Sequence, residues 1–336
     1  MLSVIERKLP LWATSSLLIL ALAGCGGDSS GTDSTITLPI GSTPTPSPTP
    51  SPTPTPTGTS TAAVDCPYSG NYMGSYSTAG MLTATWSWAC SATTRSLTGN
   101  GLPDHAVGTF PNTGNPNSIS AQSVSASMTL TPSIGTSNTF VGGPGGAFIY
   151  ARNSVKFDPG TAGTCPSTAT QASNCNLANG SDQWRVEALG QDVFDFGEDM
   201  NNAHVQPTGE YHYHGMPEGL LTNAGVSDTN RKMTLVGWAG DGYPVYARYC
   251  YTDAMDATSA LKICQGSYAL DAVADSGRPS TSWVPLGAFG SDWNYVADSG
   301  DLDDCNGRTG VTPELLHGNR QLPLHEPVPE RDYLIS

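Results

Sequence analysis

Every second residue from Pro44 to Pro56 is proline, and no other feature constrains the fold of this chain as strongly. Proline lacks a backbone N–H and has a fixed φ, so such a tract excludes α-helix and central strand and favours extended polyproline II. The surrounding residues 26–62 are mostly Gly, Ser, Thr and Pro and offer little to bury. We therefore predict a disordered tether over residues 25–64 and a folded domain that begins at residue 65.

The segment before the tether has the pattern of a lipoprotein signal peptide over residues 1–24. A basic start, Met1–Lys8, precedes an apolar stretch, residues 11–23, that is too short to span a bilayer. Leu22-Ala23-Gly24-Cys25 resembles the bacterial lipobox, in which the cysteine is acylated and becomes the new N-terminus. This predicts an outer-membrane or cell-surface lipoprotein whose partner is membrane lipid, reached through acylated Cys25. A position on the periplasmic face, or ordinary cleavage with a structural thiol at Cys25, is the alternative.

Composition favours a β-rich fold and argues against a nucleic-acid partner. The chain has 14 basic and 29 acidic side chains, a formal net charge of −15, and such a surface repels phosphate backbones. Its 38 glycines and 26 prolines favour turns over helices. We predict a mostly β fold, a single loop-rich domain with disulfides that is a β-sandwich or a distorted barrel. Alternating apolar and polar residues indicate strands at 81–89, 124–130, 148–155, 184–188, 233–238 and 244–249.

The cysteines indicate an oxidising compartment. Of the eight cysteines, seven remain once Cys25 is acylated, and disulfides are the expected state outside the cytosol. Sequence alone does not fix their connectivity, but pairing sequence neighbours leaves only Cys305 over. The suggested bridges are Cys66–Cys90, Cys165–Cys175 and Cys250–Cys264.

Three of the six histidines, His204, His212 and His214, lie within eleven residues of each other. On a strand, His212 and His214 point to one face, and a turn at residues 207–209 folds His204 back onto that face. Three imidazoles with a fourth position open are typical of Zn and Cu centres. The alternative interpretation is a surface hairpin with hydrogen-bonded structural histidines. The tyrosines that alternate with these histidines are expected to face the core.

Three other stretches are candidates to join this site. His105 is a candidate fourth ligand or a partner that orients a ligand, and a buried turn histidine is the alternative. Glu198 and Asp199 are candidates to orient an imidazole N–H or to act as a general base. A late oxygen-rich loop is a candidate calcium site, although its spacing differs from an EF-hand and acidic loops are often only solvated. That loop contains Asp301, Asp303, Asp304 and Asn306.

The run Tyr211-His212-Tyr213-His214 resembles the signature of the YHYH domain family of bacterial extracytoplasmic proteins. Further segments that resemble this family are 100–105, 110–112, 114–117, 155–160, 241–246 and 302–308. The resemblance implies a YHYH-like β domain over residues 65–314 with its site at the histidines, and it implies no particular reaction.

The resemblance also implies an aromatic, strand-like segment after residue 314, from which this chain departs. Residues 315–336 contain prolines and several charges and make a poor strand. We interpret them as an aberrant tail, divergent or produced by a frameshift, so His317 and His325 are poor ligand candidates.

Three functions compete at this point. The favoured hypothesis is a cell-envelope lipoprotein whose histidine cluster binds Cu or Zn, for metal binding or delivery. The second is a metal-dependent hydrolase in which the ion activates water. The third is an adhesion or glycan-binding module with a structural histidine hairpin.

Overall fold

The computed structural model describes residues 66–133, 149–158, 160–190 and 193–311. The signal peptide, the acylated Cys25 and the tether predicted for residues 1–64, and the aberrant tail predicted for residues 315–336, lie outside these residues. Within them the protein is mostly β, with a curled half-barrel sheet and three disulfides, which confirms the predicted fold class. None of the helices in the described ranges is both long and apolar enough to cross a membrane.

Fifteen strands and one short α-helix, α1 (Glu218–Asn223), form the described part. The first strands are β1 (Tyr68–Ser75), β2 (Met81–Cys90), β3 (Thr94–Gly99), β4 (Val124–Thr129), β5 (Ile149–Ala151), β6 (Lys156–Phe157), β7 (Thr164–Cys165) and β8 (Trp184–Arg185). The later strands are β9 (Ala203–Val205), β10 (Tyr211–Tyr213), β11 (Met233–Ala239), β12 (Pro244–Tyr251), β13 (Leu261–Ile263), β14 (Tyr268–Leu270) and β15 (Trp293–Tyr295). Each of the six predicted strands is present, although Phe148 itself lies outside the described residues.

Four strands form an antiparallel sheet in the order β1-β2-β3-β4. In β2 the buried Ala84, Trp86 and Trp88 alternate with exposed residues, so one face of this sheet packs and the other meets water. The packed face meets the second sheet, where the rings of Trp88 and Trp238 lie 4.5 Å apart between centroids.

The second sheet has seven strands in the order β13-β12-β11-β5-β6-β10-β9. Strand β10 pairs in parallel with β6 and antiparallel with β9, and all three of its residues are buried. Strand β10 is covered on both faces, as central strands often are. Tyr211 and Tyr213 are fully buried in the main core on one face, and His212 is buried on the other. This sheet places the histidine hairpin at its β9 edge.

Three disulfides join Cys66 to Cys90, Cys165 to Cys175 and Cys250 to Cys264, as pairing of sequence neighbours predicted. Cys305 lies outside these three bridges and is buried. A second, smaller core packs around Trp184, Phe194 and Phe289 beside the Cys165–Cys175 bridge. The bridge therefore closes a loop at this second core.

Candidate metal centre

The hairpin of β9 and β10 brings the three histidines together. His204 and His212 are direct partners in the antiparallel register, and the His214 N–H donates to the Asn202 carbonyl 2.7 Å away. The turn closes through the Gln206 N–H and the Glu210 carbonyl, and Gly209 has a φ of 85°, a left-handed conformation that suits glycine. The fold-back expected from residues 207–209 is present.

The Nε2 atoms of the three rings converge on one point. His212 Nε2 lies 3.0 Å from His214 Nε2, which lies 3.1 Å from His204 Nε2. Ring centroids are 4.6 to 4.7 Å apart. His212 and His214 are 1% and 4% exposed, so bulk water does not separate the nitrogens.

Hydrogen bonds at the opposite ring nitrogens fix two tautomers. His204 Nδ1–H donates to the Phe196 carbonyl at 2.8 Å, and His212 Nδ1–H donates to the Glu210 carbonyl at 3.2 Å. Because a carbonyl only accepts, both rings present an unprotonated Nε2 to the cluster. A single proton on His214 Nε2 can form a hydrogen bond with only one of the other two Nε2 atoms, so the second pair of nitrogens lies in close contact without a hydrogen bond between them.

Protonation does not relieve this contact, because the environment disfavours imidazolium. Burial lowers the pKa of His204. Burial, followed by the charges of His204 and Lys156, holds the pKa of His212 well below its usual value. A metal ion held by all three nitrogens would relieve this contact: tetrahedral coordination at 2.0–2.1 Å separates nitrogen ligands by about 3.3–3.4 Å, within a few tenths of an ångström of the two short Nε2 distances.

The converging nitrogens open onto a cavity of about 360 Å³. All three histidines line it, together with Asp158 and Asp195. A small molecule in this cavity would therefore contact the three histidines.

Beside His212 an ion-pair network surrounds Lys156, its neighbour in the β6–β10 register. Lys156 Nζ lies 2.9 Å from Glu210 Oε2 and 3.5 Å from Asp158 Oδ2, and Gln206 Nε2 donates to the same Asp158 oxygen at 3.0 Å. Lys156 and Asp158 are 5% and 1% exposed, so these charges are fixed rather than solvated. The network holds the carboxylate of Asp158 at the cavity wall.

The opposite face of β10 carries a separate polar network, and His105 belongs to it. His105 Nδ1–H donates to the Ala106 carbonyl, and its Nε2 accepts from the Tyr213 hydroxyl at 2.6 Å. The structure groups His204, His212 and His214 without His105, and it places His105 against Tyr213, as the alternative of a buried turn histidine predicts.

Asp199 also lies on the tyrosine side. Its Oδ2 accepts from the Tyr211 hydroxyl at 2.9 Å and from the Gly108 N–H at 2.9 Å. The imidazoles are oriented by the Phe196 and Glu210 carbonyls, which corrects the expectation that Asp199 or Glu198 orients them. Burial raises the pKa of Glu198 to about 8, and Glu198 does not line the cavity.

The oxygen-rich loop uses two of its carboxylates within its own fold. Asp301 pairs with Lys262 and accepts from the Gln265 N–H, and Asp303 Oδ1 accepts from the N–H groups of Cys305 and Gly307. Calcium binding at this loop stays a prediction.

Sequence reasoning missed Lys156, Asp158 and the Asn115 and Asn117 amides as parts of the site. Both amides donate to the Val205 carbonyl and hold the β9 edge, at 2.9 and 2.8 Å. A signal existed, because 114–117 and 155–160 were among the segments that resemble the YHYH family. Their spatial link to the histidines was not readable from the chain.

Fold and site together define a disulfide-bonded β protein with a buried three-histidine cluster at the wall of a small cavity. A family model described as YHYH protein matches residues 125–322, more than half of the chain. The chain belongs to the YHYH family. Comparison with curated proteins and with solved structures finds no significant match.

Proposed function

We propose that this protein binds one transition-metal ion, Cu or Zn, through the Nε2 atoms of His204, His212 and His214, and that it serves in metal binding or delivery. The observation that carries the proposal is the convergence of the Nε2 atoms at 3.0 and 3.1 Å. The Nδ1–H groups of His204 and His212 meanwhile donate hydrogen bonds to backbone carbonyls. Backbone acceptors of this kind are the usual outer partners of metal-ligating histidine.

The donor set supports Cu or Zn over Mg or Ca. Neutral imidazole suits Zn and Cu, whereas the hard cations require carboxylate, carbonyl or water oxygens. A cluster of three nitrogens without a carboxylate among them fits the first group. Three protein ligands with one open position are also the arrangement of catalytic Zn sites, so the adjoining cavity favours metal-dependent hydrolysis as the second candidate.

Calorimetric titration of the metal-free protein with Zn²⁺ and Cu²⁺ tests the proposal. We expect one ion per chain, and at least about 100-fold weaker binding in His212→Ala and in His214→Ala, since each leaves two ligands. His317→Ala and His325→Ala are the matched controls and should bind like the parent. Parent-like binding by His212→Ala would instead favour a structural hairpin in an adhesion or glycan-binding module.

The envelope location is a second part of the proposal, supported by the lipobox-like Leu22–Cys25 and the proline-rich tether. Acylated Cys25 anchors the chain in the outer membrane or at the cell surface, and the tether separates the domain from the lipid. Membrane fractionation of Cys25→Ser is the test. Release into the soluble fraction is expected, and unchanged membrane association contradicts acylation.

A further inference from the structure

The cavity beside the three histidines has an unusual charge balance. Its lining contains the carboxylates of Asp158 and Asp195 and the amides of Asn115 and Gln206, and it contains neither lysine nor arginine. Two cations lie next to lining residues: Lys156 points to Glu210 and Asp158, and an Arg185 guanidinium N–H donates to the carbonyl of Thr161 at 2.6 Å. An anion that enters this cavity therefore meets carboxylates and has no basic side chain to pair with.

A bound divalent ion alters this balance, and its charge has to be included. Within the lining, the two carboxylates of Asp158 and Asp195 then offset the two charges of the ion, and Lys156 is paired with Glu210. In a site with three neutral imidazoles and no carboxylate nearby, the full charge of the ion attracts anions. In this site the neighbouring carboxylates offset the charge of the ion, so an anionic ligand gains no electrostatic advantage in binding over a neutral one.

Asp158 is built to accept a hydrogen bond from such a ligand. It is 1% exposed, Gln206 and Lys156 fix its Oδ2, and its own N–H donates to the Tyr213 carbonyl at 2.9 Å. It is not among the ligand atoms that cluster within 4.8 Å. Asp158 thus lies on the wall of the same cavity but outside the group of three nitrogens, so a molecule in the cavity could contact both an ion held there and Asp158.

The remaining walls limit what that molecule is. They include the apolar side chains of Leu177, Phe196 and Val205, and a cavity of about 360 Å³ lies near the lower end of small-molecule sites. Resting on the proposed metal site, we infer that the open position takes a small neutral or cationic molecule. Its nitrogen or oxygen coordinates the ion, and its N–H or O–H donates to Asp158. The site discriminates against anions.

The test uses full-length protein loaded with Cu²⁺ and follows visible absorption at pH 8 and constant ionic strength. Imidazole, a neutral ligand with an N–H donor, is titrated against azide, an anion of similar size. Because imidazole binds aqueous Cu²⁺ more tightly than azide does, the preference is measured against that of aqueous Cu²⁺. We expect the azide-to-imidazole ratio of half-saturating concentrations to be at least about tenfold larger in the protein than in water, and to fall by about fivefold or more in Asp158→Asn. Asp256→Asn, an exposed carboxylate outside the cavity lining, should keep the parent ratio.

A second variant keeps the inference falsifiable if Asp158→Asn does not fold. Asp195 is exposed at the cavity, and asparagine retains the oxygen that accepts from the Gly197 N–H, so Asp195→Asn should fold and bind azide more tightly than the parent does. An azide-to-imidazole ratio in the loaded parent no larger than that in water overturns the inference and leaves the metal site standing. Failure of the parent to bind Cu²⁺ and Zn²⁺ overturns the proposed function itself.

Discussion

Tyr211-His212-Tyr213-His214, which spans β10 and the residue after it, places its tyrosines on one face and its histidines on the other. The polar side-chain atoms of the two faces differ in their hydrogen bonding. On one face the hydroxyls of Tyr211 and Tyr213 each have two partners within hydrogen-bond distance. On the other face His212 and His214 point their Nε2 atoms at each other. Both faces are buried, so exposure to water does not explain the difference.

The contrast is one of hydrogen bonding at two buried faces. A paired buried hydrogen bond contributes about 0.5–1.5 kcal/mol to folding, whereas an unsatisfied buried polar group costs about 1–3 kcal/mol. The tyrosine face therefore stabilises the fold and orients the strand. At the histidine face the two short Nε2 contacts cannot both be hydrogen bonds, and under the proposed function a cation at the centre of the cluster would relieve this crowding.

The largest expected effect is stabilisation by metal on the histidine face alone. With free Zn²⁺ at 100 times its Kd, the free energy of unfolding should rise by about 2.7 kcal/mol, because only the folded hairpin assembles the site. Tyr213→Phe should retain this gain and His214→Ala should lose it, as measured by urea unfolding with and without Zn²⁺. A gain that survives in His214→Ala shows that the ion binds elsewhere.

The second largest expected effect is the loss of unfolding free energy when either tyrosine of β10 loses its hydroxyl. Tyr213→Phe removes the partner of the buried His105 Nε2 and should cost about 1–3 kcal/mol. Tyr211→Phe should cost about 1 kcal/mol, since Asp199 keeps the donors from Gly108 and Asn201. Urea unfolding of the metal-free variants measures both. The reverse order would mean that the carboxylate, not the imidazole, depends more on its tyrosine.

The smallest effect is a pH dependence on the tyrosine face. Burial lowers the pKa of His105 below its ordinary value of 6.5, so the unfolded chain takes up this proton before the folded one does. Stability should therefore fall as pH drops from about 6.5 towards the lowered pKa and change no further below it. His105→Gln, which keeps an acceptor for Tyr213, should show a shallower loss. Identical pH profiles for parent and variant would remove His105 as a contributor.

The sequence predicted β2 and β4, whose apolar residues alternate, and the largely buried β11 and β12. It missed β3, whose buried positions are Arg95 and Leu97, and strands with few buried residues. β2 shows the alternation clearly, because one face is packed. β1 is an edge strand rich in Gly, Ser and Asn, with one buried residue among eight, so no apolar period marks it. The short strands β13, β14 and β15 have too few buried residues to reveal a period.

Only the part of the site that one hairpin brings together was predictable from the sequence. The three histidines were found because a strand period and a turn suffice to bring them together. Lys156 and Asp158 enter through the parallel pairing of β6 with β10, which joins residues more than 50 positions apart, and no local pattern encodes that pairing. For His105 the sequence left a fourth ligand, an orienting partner and a buried turn histidine open, because its residue type suits all three and the side of β10 it packs against depends on the whole fold.

The Cys165–Cys175 bridge has a consequence for how the cavity becomes complete. Thr161 and Ala162 precede its first cysteine, Leu177 and Ala178 follow its second, and these four residues form part of the cavity wall. Asn176 and Thr164 hydrogen-bond across the same junction. A covalent link, formed only when the two thiols are oxidised, therefore joins the two chain segments of this part of the wall. We expect reduction of the bridge to loosen that part of the wall.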